Sequence, residues 1–197
     1  MAAQQLSELL LQSLEHEKGG VVVYKTALKC VVKPDLRSEW ERYLEETRKH
    51  ERVLTAVCER LRIDPNEETP GRKIVRHLGL ALVQAMELAL NAGNADAAQL
   101  VACECVVLAE TKDHLDWQLI GKCAEKYVGE ETNVLRQAYD EIEDQEDEHL
   151  YHSKGWCREL WIESLGMKAV LPPPEEVKDV RTAIGAARAE QASEQAR

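Results

Sequence analysis

Apolar residues recur along this chain at steps of three and four, the spacing that keeps side chains on one face of an α-helix. The first such stripe runs over about 3–32 through Leu6, Leu10, Leu14, Val21, Tyr24, Leu28 and Val31. Pro34 interrupts it, and Asp35 is the expected N-cap of a second stripe through Leu36, Trp40, Tyr43, Leu54, Val57 and Leu61. A loop over 63–71 leads to a shorter apolar helix over about 72–90, which stops at Asn91-Ala92-Gly93-Asn94. A third long helix is predicted from Ala95 to Val128 through Leu100, Cys103, Val107, Trp117 and Ala124, ending at Gly129. A fourth runs over about 132–165 through Leu135, Tyr139, Ile142, Trp156 and Leu160, and Gly166 with Pro172-Pro173-Pro174 closes it. No segment alternates like a strand.

Helices of this length must bury their apolar faces against one another, and a four-helix bundle is the economical solution. At 1.5 Å per residue the 72–90 segment is about 28 Å long, enough to carry the chain back along the bundle. The second and third long helices are therefore expected to be parallel, joined by a long crossover that contains an extra helix. The expected organisation is all-α: a bundle over 1–170, then a proline-initiated C-terminal helix or flexible tail over 171–197, with a thin stripe at Val177, Val180 and Ile184.

Composition changes this picture in three ways. Asp+Glu is 36 against Lys+Arg 25, a formal net charge of −11, which argues against nucleic acid and against anionic membrane surfaces. Of the acids 27 are Glu and only 9 Asp, which suits long helices. No apolar run is long enough to span a membrane, and the N-terminus lacks the basic start of a signal peptide, so a cytoplasmic location is expected. The six cysteines form no CxxC and read as reduced, mostly buried apolar groups.

Charged residues also lie on the apolar stripes. The first helix carries Glu17. The second carries Glu46 and His50, with Thr47 at the position three before the histidine. The third carries Glu110 and His114, and the fourth Glu146 and His149. Glu four before His occurs three times, at Glu46–His50, Glu110–His114 and Glu148–His152, and each pair taken singly also suits a helix surface. Counted from the turns at Pro34 and Gly129, the candidates on the two arms of each hairpin stand within about two helical turns of each other. A buried unpaired carboxylate costs several kcal/mol. Two divalent cations would offset four glutamates while neutral imidazoles complete the coordination. Glu104, Glu143, Glu148 and His152 lie near the stripes, and His77 reads as a surface histidine.

With Glu17, Glu110 and Glu146-Asp-Glu-His149 in place, the chain resembles the ferritin-like di-iron carboxylate superfamily over about residues 5–165. Tyr43-Leu-Glu-Glu-Thr-Arg-Lys-His50 and the stretch from Trp117 to Gly129 resemble the small bacterial stress-induced ferritin-like proteins. The resemblance implies a ferritin-like bundle, two transition-metal ions (iron, or manganese next), and redox chemistry with dioxygen or peroxide, such as ferrous oxidation or stress protection. It implies Glu46 and Glu146 as bridging ligands, Glu17 and Glu110 as terminal ones, and one ion held by each of His50 and His149. It also implies pairing of two copies. Helix two departs from the pattern, having Glu-x-x-x-His, which a π-bulge would correct. His114 is extra to it, as a further ligand, a supporting partner or a proton relay. Two other readings stand beside this one: a metal-free helical interaction or scaffold protein with a hydrogen-bonded polar core, and a substrate oxygenase with a pocket lined by the 72–90 helix. The tail after Pro174 is a candidate docking element for a protein partner.

Overall fold

Hydrophobic stripes of this length fold into seven helices among the described residues of the computed structural model, which are 2–126 and 129–196. They are α1 (Ala2–Cys30), α2 (Pro34–Arg60), α3 (Pro70–Asn91), α4 (Ala95–Lys126), α5 (Glu130–Ser164), α6 (Pro174–Val177) and α7 (Ala183–Ala196). There is no strand among them. Pro34 is itself the first residue of α2, so Lys33 occupies the cap position and Asp35 falls in the first turn, not at the cap expected of it. Proline at that position has no N–H to leave unsatisfied. Thr69 caps α3 by accepting from the Arg72 N–H at 3.2 Å, and Asn94 accepts from the Ala97 N–H at 3.0 Å. The expected end of α4 at Val128 lies outside the described residues.

The four long helices surround one interior, and paired contacts fix their directions. Along α1 and α4, Glu17 meets Trp117, Tyr24 meets Glu110 and the Val32 N–H meets Gln99. Along α2 and α5, Arg60 meets Gln137, His50 meets Gln145 and Glu39 meets His152. One index rises as the other falls in both cases, so these neighbours are antiparallel. α2 and α4 therefore run parallel across the diagonal. The connection is α3, which lies in the groove of α1 and α4 and runs parallel to α1. Its contacts advance from Thr69 against Glu8, through Gly79 against Gly19, to Met86 against Cys30.

The apolar core is in two parts. One contains Tyr24, Leu36, Trp40, Met86, Val106 and Trp156, and the other Leu10, Leu14, Leu54, Trp117, Ile120 and Ile142. Each large buried side chain contributes roughly 1.5–3 kcal/mol. Along every long helix the break between the two parts falls at the same level: Glu17, Thr47 to His50, Glu110 to Asp113, and Glu146 to His149. A polar layer thus crosses the middle of an aliphatic bundle. All six cysteines are free, four of them buried and Cys123 and Cys157 half-buried.

The C-terminal segment is helical and docked on α5. Arg158 donates to both Glu175 oxygens at 2.7 and 3.0 Å, where Gly155 permits close approach. Ser193 and the Val170 N–H donate to Glu159 at 2.5 and 2.9 Å. Val180 and Ala189 pack on Leu150 and Tyr151. No helix is long and apolar enough to cross a membrane.

Candidate metal centre

Five side chains converge in the polar layer: Glu17 from α1, His50 from α2, Glu110 from α4, and Glu146 and His149 from α5. None is more than 3% exposed. They form two overlapping groups, Glu17–His50–Glu146 and Glu110–Glu146–His149, in each of which three potential ligand atoms lie within 4.8 Å of one another. Glu146 belongs to both. Each of these groups could hold a metal ion.

Both imidazoles present Nδ1 to the interior. His50 Nδ1 stands 2.7 Å from Glu146 Oε1 and 3.8 Å from Glu17 Oε1, and His149 Nδ1 stands 3.5 Å from Glu110 Oε2 and 3.9 Å from Glu146 Oε1. Their outer nitrogens are held in place. His50 Nε2 donates to Gln145 Oε1 at 3.0 Å and His149 Nε2 to Glu46 Oε2 at 2.8 Å. Outer groups of this kind orient an imidazole and free its other nitrogen for a cation. The carboxylates are steadied likewise. Trp117 Nε1 donates to Glu17 at 2.9 Å and the Tyr24 hydroxyl to Glu110 at 2.7 Å.

The inward atoms have no such partners. Glu17 Oε2, Glu110 Oε2, both oxygens of Glu146 and both Nδ1 atoms are buried without an aligned hydrogen bond. Buried polar atoms are normally paired, and these six belong to the residues of the two groups that could each hold a metal ion. Carboxylates mixed with imidazoles suit iron or manganese. The electrostatics agree. Burial and the charge of Glu146 push the Glu17 carboxyl well above its usual range, despite the Trp117 hydrogen bond. Burial pulls the His149 imidazole down, but Glu110 and Glu46 outweigh it and push it up to about 10. Burial would also raise Glu110, yet His149 and Tyr24 hold it below the usual carboxylate range.

Two of the residues expected at the centre are elsewhere. Glu46 does not point inward: its side chain is 18% exposed and reaches the outer face of His149 and Arg42 at the α2–α5 seam. α2 is a regular helix here, so the inward position is Thr47, whose hydroxyl bonds back to the Tyr43 carbonyl at 2.8 Å. Glu46 therefore contacts His149 from the seam and is in neither of the two ligand groups. His114 also lies outside the convergent set. Its Nδ1 meets Asp147 at 3.1 Å and its Nε2 accepts from Gln118 at 2.8 Å. The buried acid that the sequence reading missed is Asp113, three residues after Glu110. Its Oδ1 is unpartnered, and burial with the charges of Glu146 and Glu17 raises its pKa well above the usual range.

Of the residues near the stripes, His77 is exposed. Glu104 accepts from Trp161 on the surface, and Glu143 from the Tyr139 hydroxyl. Glu148, His152 and Asp179 also bring potential ligand atoms within 4.8 Å of one another. Arg42 and Arg181 stand 2.5 and 3.4 Å from the two Glu148 oxygens, so that group already has its cations.

No protein-family model matches this chain, and comparison with curated proteins and with solved structures returns no significant match. The all-helical architecture and the buried carboxylate–histidine groups, compatible with a di-iron site, therefore rest on the chain's own geometry.

Proposed function

We propose that this chain is a ferritin-like four-helix bundle with a dinuclear non-haem centre, iron or next manganese, that carries out redox chemistry with dioxygen or peroxide, such as ferrous oxidation or stress protection. The observation that carries this reading is the set of six unpartnered ligand atoms converging from all four long helices. Glu17 and His50 would hold one ion, Glu110 and His149 the other, and Glu146 both. When bound, such a pair supplies electrons to dioxygen or peroxide. The protein's own part is positioning and exclusion. Gln145 and Glu46 fix the imidazoles, Trp117 and Tyr24 fix two carboxylates, and the apolar layers on either side keep bulk water out. Burial and the charges of Glu146 and Glu17 raise the Asp113 pKa well above the usual range.

The metal-free scaffold reading requires a hydrogen-bonded polar core, and the six inward atoms without an aligned hydrogen bond weigh against it. The oxygenase reading requires a pocket lined by α3. A cavity of about 300 Å³ is indeed lined by Val75, Leu78 and Leu82 of α3 and opened by Gly19. None of the five convergent residues lines it, so an organic molecule there would not face the metals. The direct test is metal analysis of purified protein, with ferrous ion added anaerobically and then exposed to air. About two ions per chain and an oxidation rate abolished by Glu110→Ala or His149→Ala are expected. Trace metal only, or unchanged content in both variants, defeats the reading.

A further inference from the structure

His114, Glu143 and Asp147 belong to neither of the two ligand groups, yet they meet at a second cavity. This cavity, about 180 Å³, lies between α4 and α5 and opens to solvent beside the docked tail. It is lined in part by Trp117 and Glu146, the former bonded to Glu17 and the latter carrying two oxygens without an aligned hydrogen bond at 1% exposure. Its walls include His114, Glu143 and Asp147, and Thr182 and Ala183 of the tail stand at its rim. We propose that this cavity is the entry route by which divalent cations reach the centre. The inference rests on the dinuclear reading above and assigns its access path.

Three features support it. The cavity against α3 touches none of the five convergent residues, whereas Glu146, the residue common to both groups, is among those that line this one. The space holds several waters, so an ion can enter with part of its hydration shell and shed it gradually. The field has the right sign. Among the described residues Glu143 bonds only to the Tyr139 hydroxyl and Asp147 pairs only with His114, neither of them with lysine or arginine. The neighbouring Glu141 and Glu148, by contrast, are paired with Lys49 and Arg42. Uncompensated carboxylates in a concave, low-dielectric wall concentrate cations and raise their on-rate. The His114 ring, clamped between Asp147 and Gln118, keeps the Asp147 carboxylate turned to the passage.

The test is the rate of cobalt(II) uptake by the metal-free full-length protein, followed by quenching of tryptophan fluorescence, beside the equilibrium metal content. Asp147→Asn and Glu143→Gln are expected to slow loading about three- to tenfold each at low ionic strength and to flatten its salt dependence, while two ions still bind at equilibrium. Ala183→Trp, which narrows the mouth without changing charge, is expected to slow loading as well. Glu141→Gln, on the same acid run but paired with Lys49, is expected to load at the parental rate. Normal loading by all three cavity variants, or equal slowing by Glu141→Gln, overturns the route while the centre stands. Failure of the parent protein to take up cobalt overturns the centre and the route with it.

Discussion

Two buried polar clusters sit along α2 and α5, and they differ in how their charges are met. At Glu39, one carboxylate accepts from the Tyr43 hydroxyl at 2.5 Å, Trp156 Nε1 at 2.5 Å and His152 Nδ1 at 2.9 Å. These donors outweigh burial and hold its pKa below the usual range. At Glu146, two turns along the same bundle, neither oxygen has a hydrogen bond, and the neighbouring Glu17 is pushed in the opposite direction. Both clusters combine Glu, His and Trp in an aliphatic core. Burial of charge alone therefore does not mark a site here. What marks it is convergent ligand atoms left without donors, while the surrounding groups are carefully bonded from outside.

The largest effect that could break this contrast is metal binding itself. Binding at about a thousand times Kd stabilises the folded chain by about 4 kcal/mol, which at roughly 2–4 °C per kcal/mol for a chain this size is a Tm rise of roughly 8–16 °C. Chelator should reverse it in differential scanning calorimetry, and a melt indifferent to iron, manganese and chelator would erase the distinction between the clusters. Next come matched carboxamides. Glu39→Gln should lower Tm by an amount corresponding to about 2–5 kcal/mol with and without metal, since it turns a satisfied acceptor into a misfit. Glu146→Gln should abolish the metal-dependent rise and stabilise the metal-free form by about 1 kcal/mol, because it removes an uncompensated charge. Equal losses from both variants would show the two carboxylates to be structurally equivalent.

The smallest effect is in pH. Glu17, Asp113 and His149 all have raised pKa values in the folded metal-free chain. Their contribution to stability is present below the unfolded values and lost as pH rises, for His149 between about 6.5 and about 10. Glu39 has the opposite sign, its contribution being lost only as pH falls through its lowered value. Metal-free protein should therefore melt a few degrees lower at pH 9.5 than at pH 6.5, whereas metal-loaded protein, with its ligands already deprotonated, should melt nearly independently of pH over that range.

The helices and their breaks were legible because 3.6-residue periodicity survives over long stretches, and the crossover was legible from the length of 72–90 alone. Glu17, His50, Glu110, Glu146 and His149 stood out because each lies on an apolar stripe. Glu46 and His114 misled for one reason. A step of four residues turns a side chain about 40° one way around the helix and a step of three about 60° the other way, so the two land on opposite sides of the stripe, and here the interior lies on the three-step side. Thr47 and Asp113 occupy the inward positions instead. The run of Val106, Ala109, Glu110, Asp113, Trp117 and Ile120, all buried, contained the signal for Asp113. The outer bonds of Gln145, Tyr24 and Trp117 had no sequence signal, since they depend on which helices become neighbours.

The parallel return of α3 leaves α1–α2 and α4–α5 as two local hairpins. Glu17 and His50 belong to the first, and Glu110, Glu146 and His149 to the second. Only when Glu146 reaches across to the first hairpin does it serve both ligand groups. A slip of one helical turn, about 5.4 Å, between the hairpins would leave each with its own residues and no shared carboxylate. On the proposed reading, metal affinity would be a gauge of assembly, reporting whether the two hairpins have docked in the correct register.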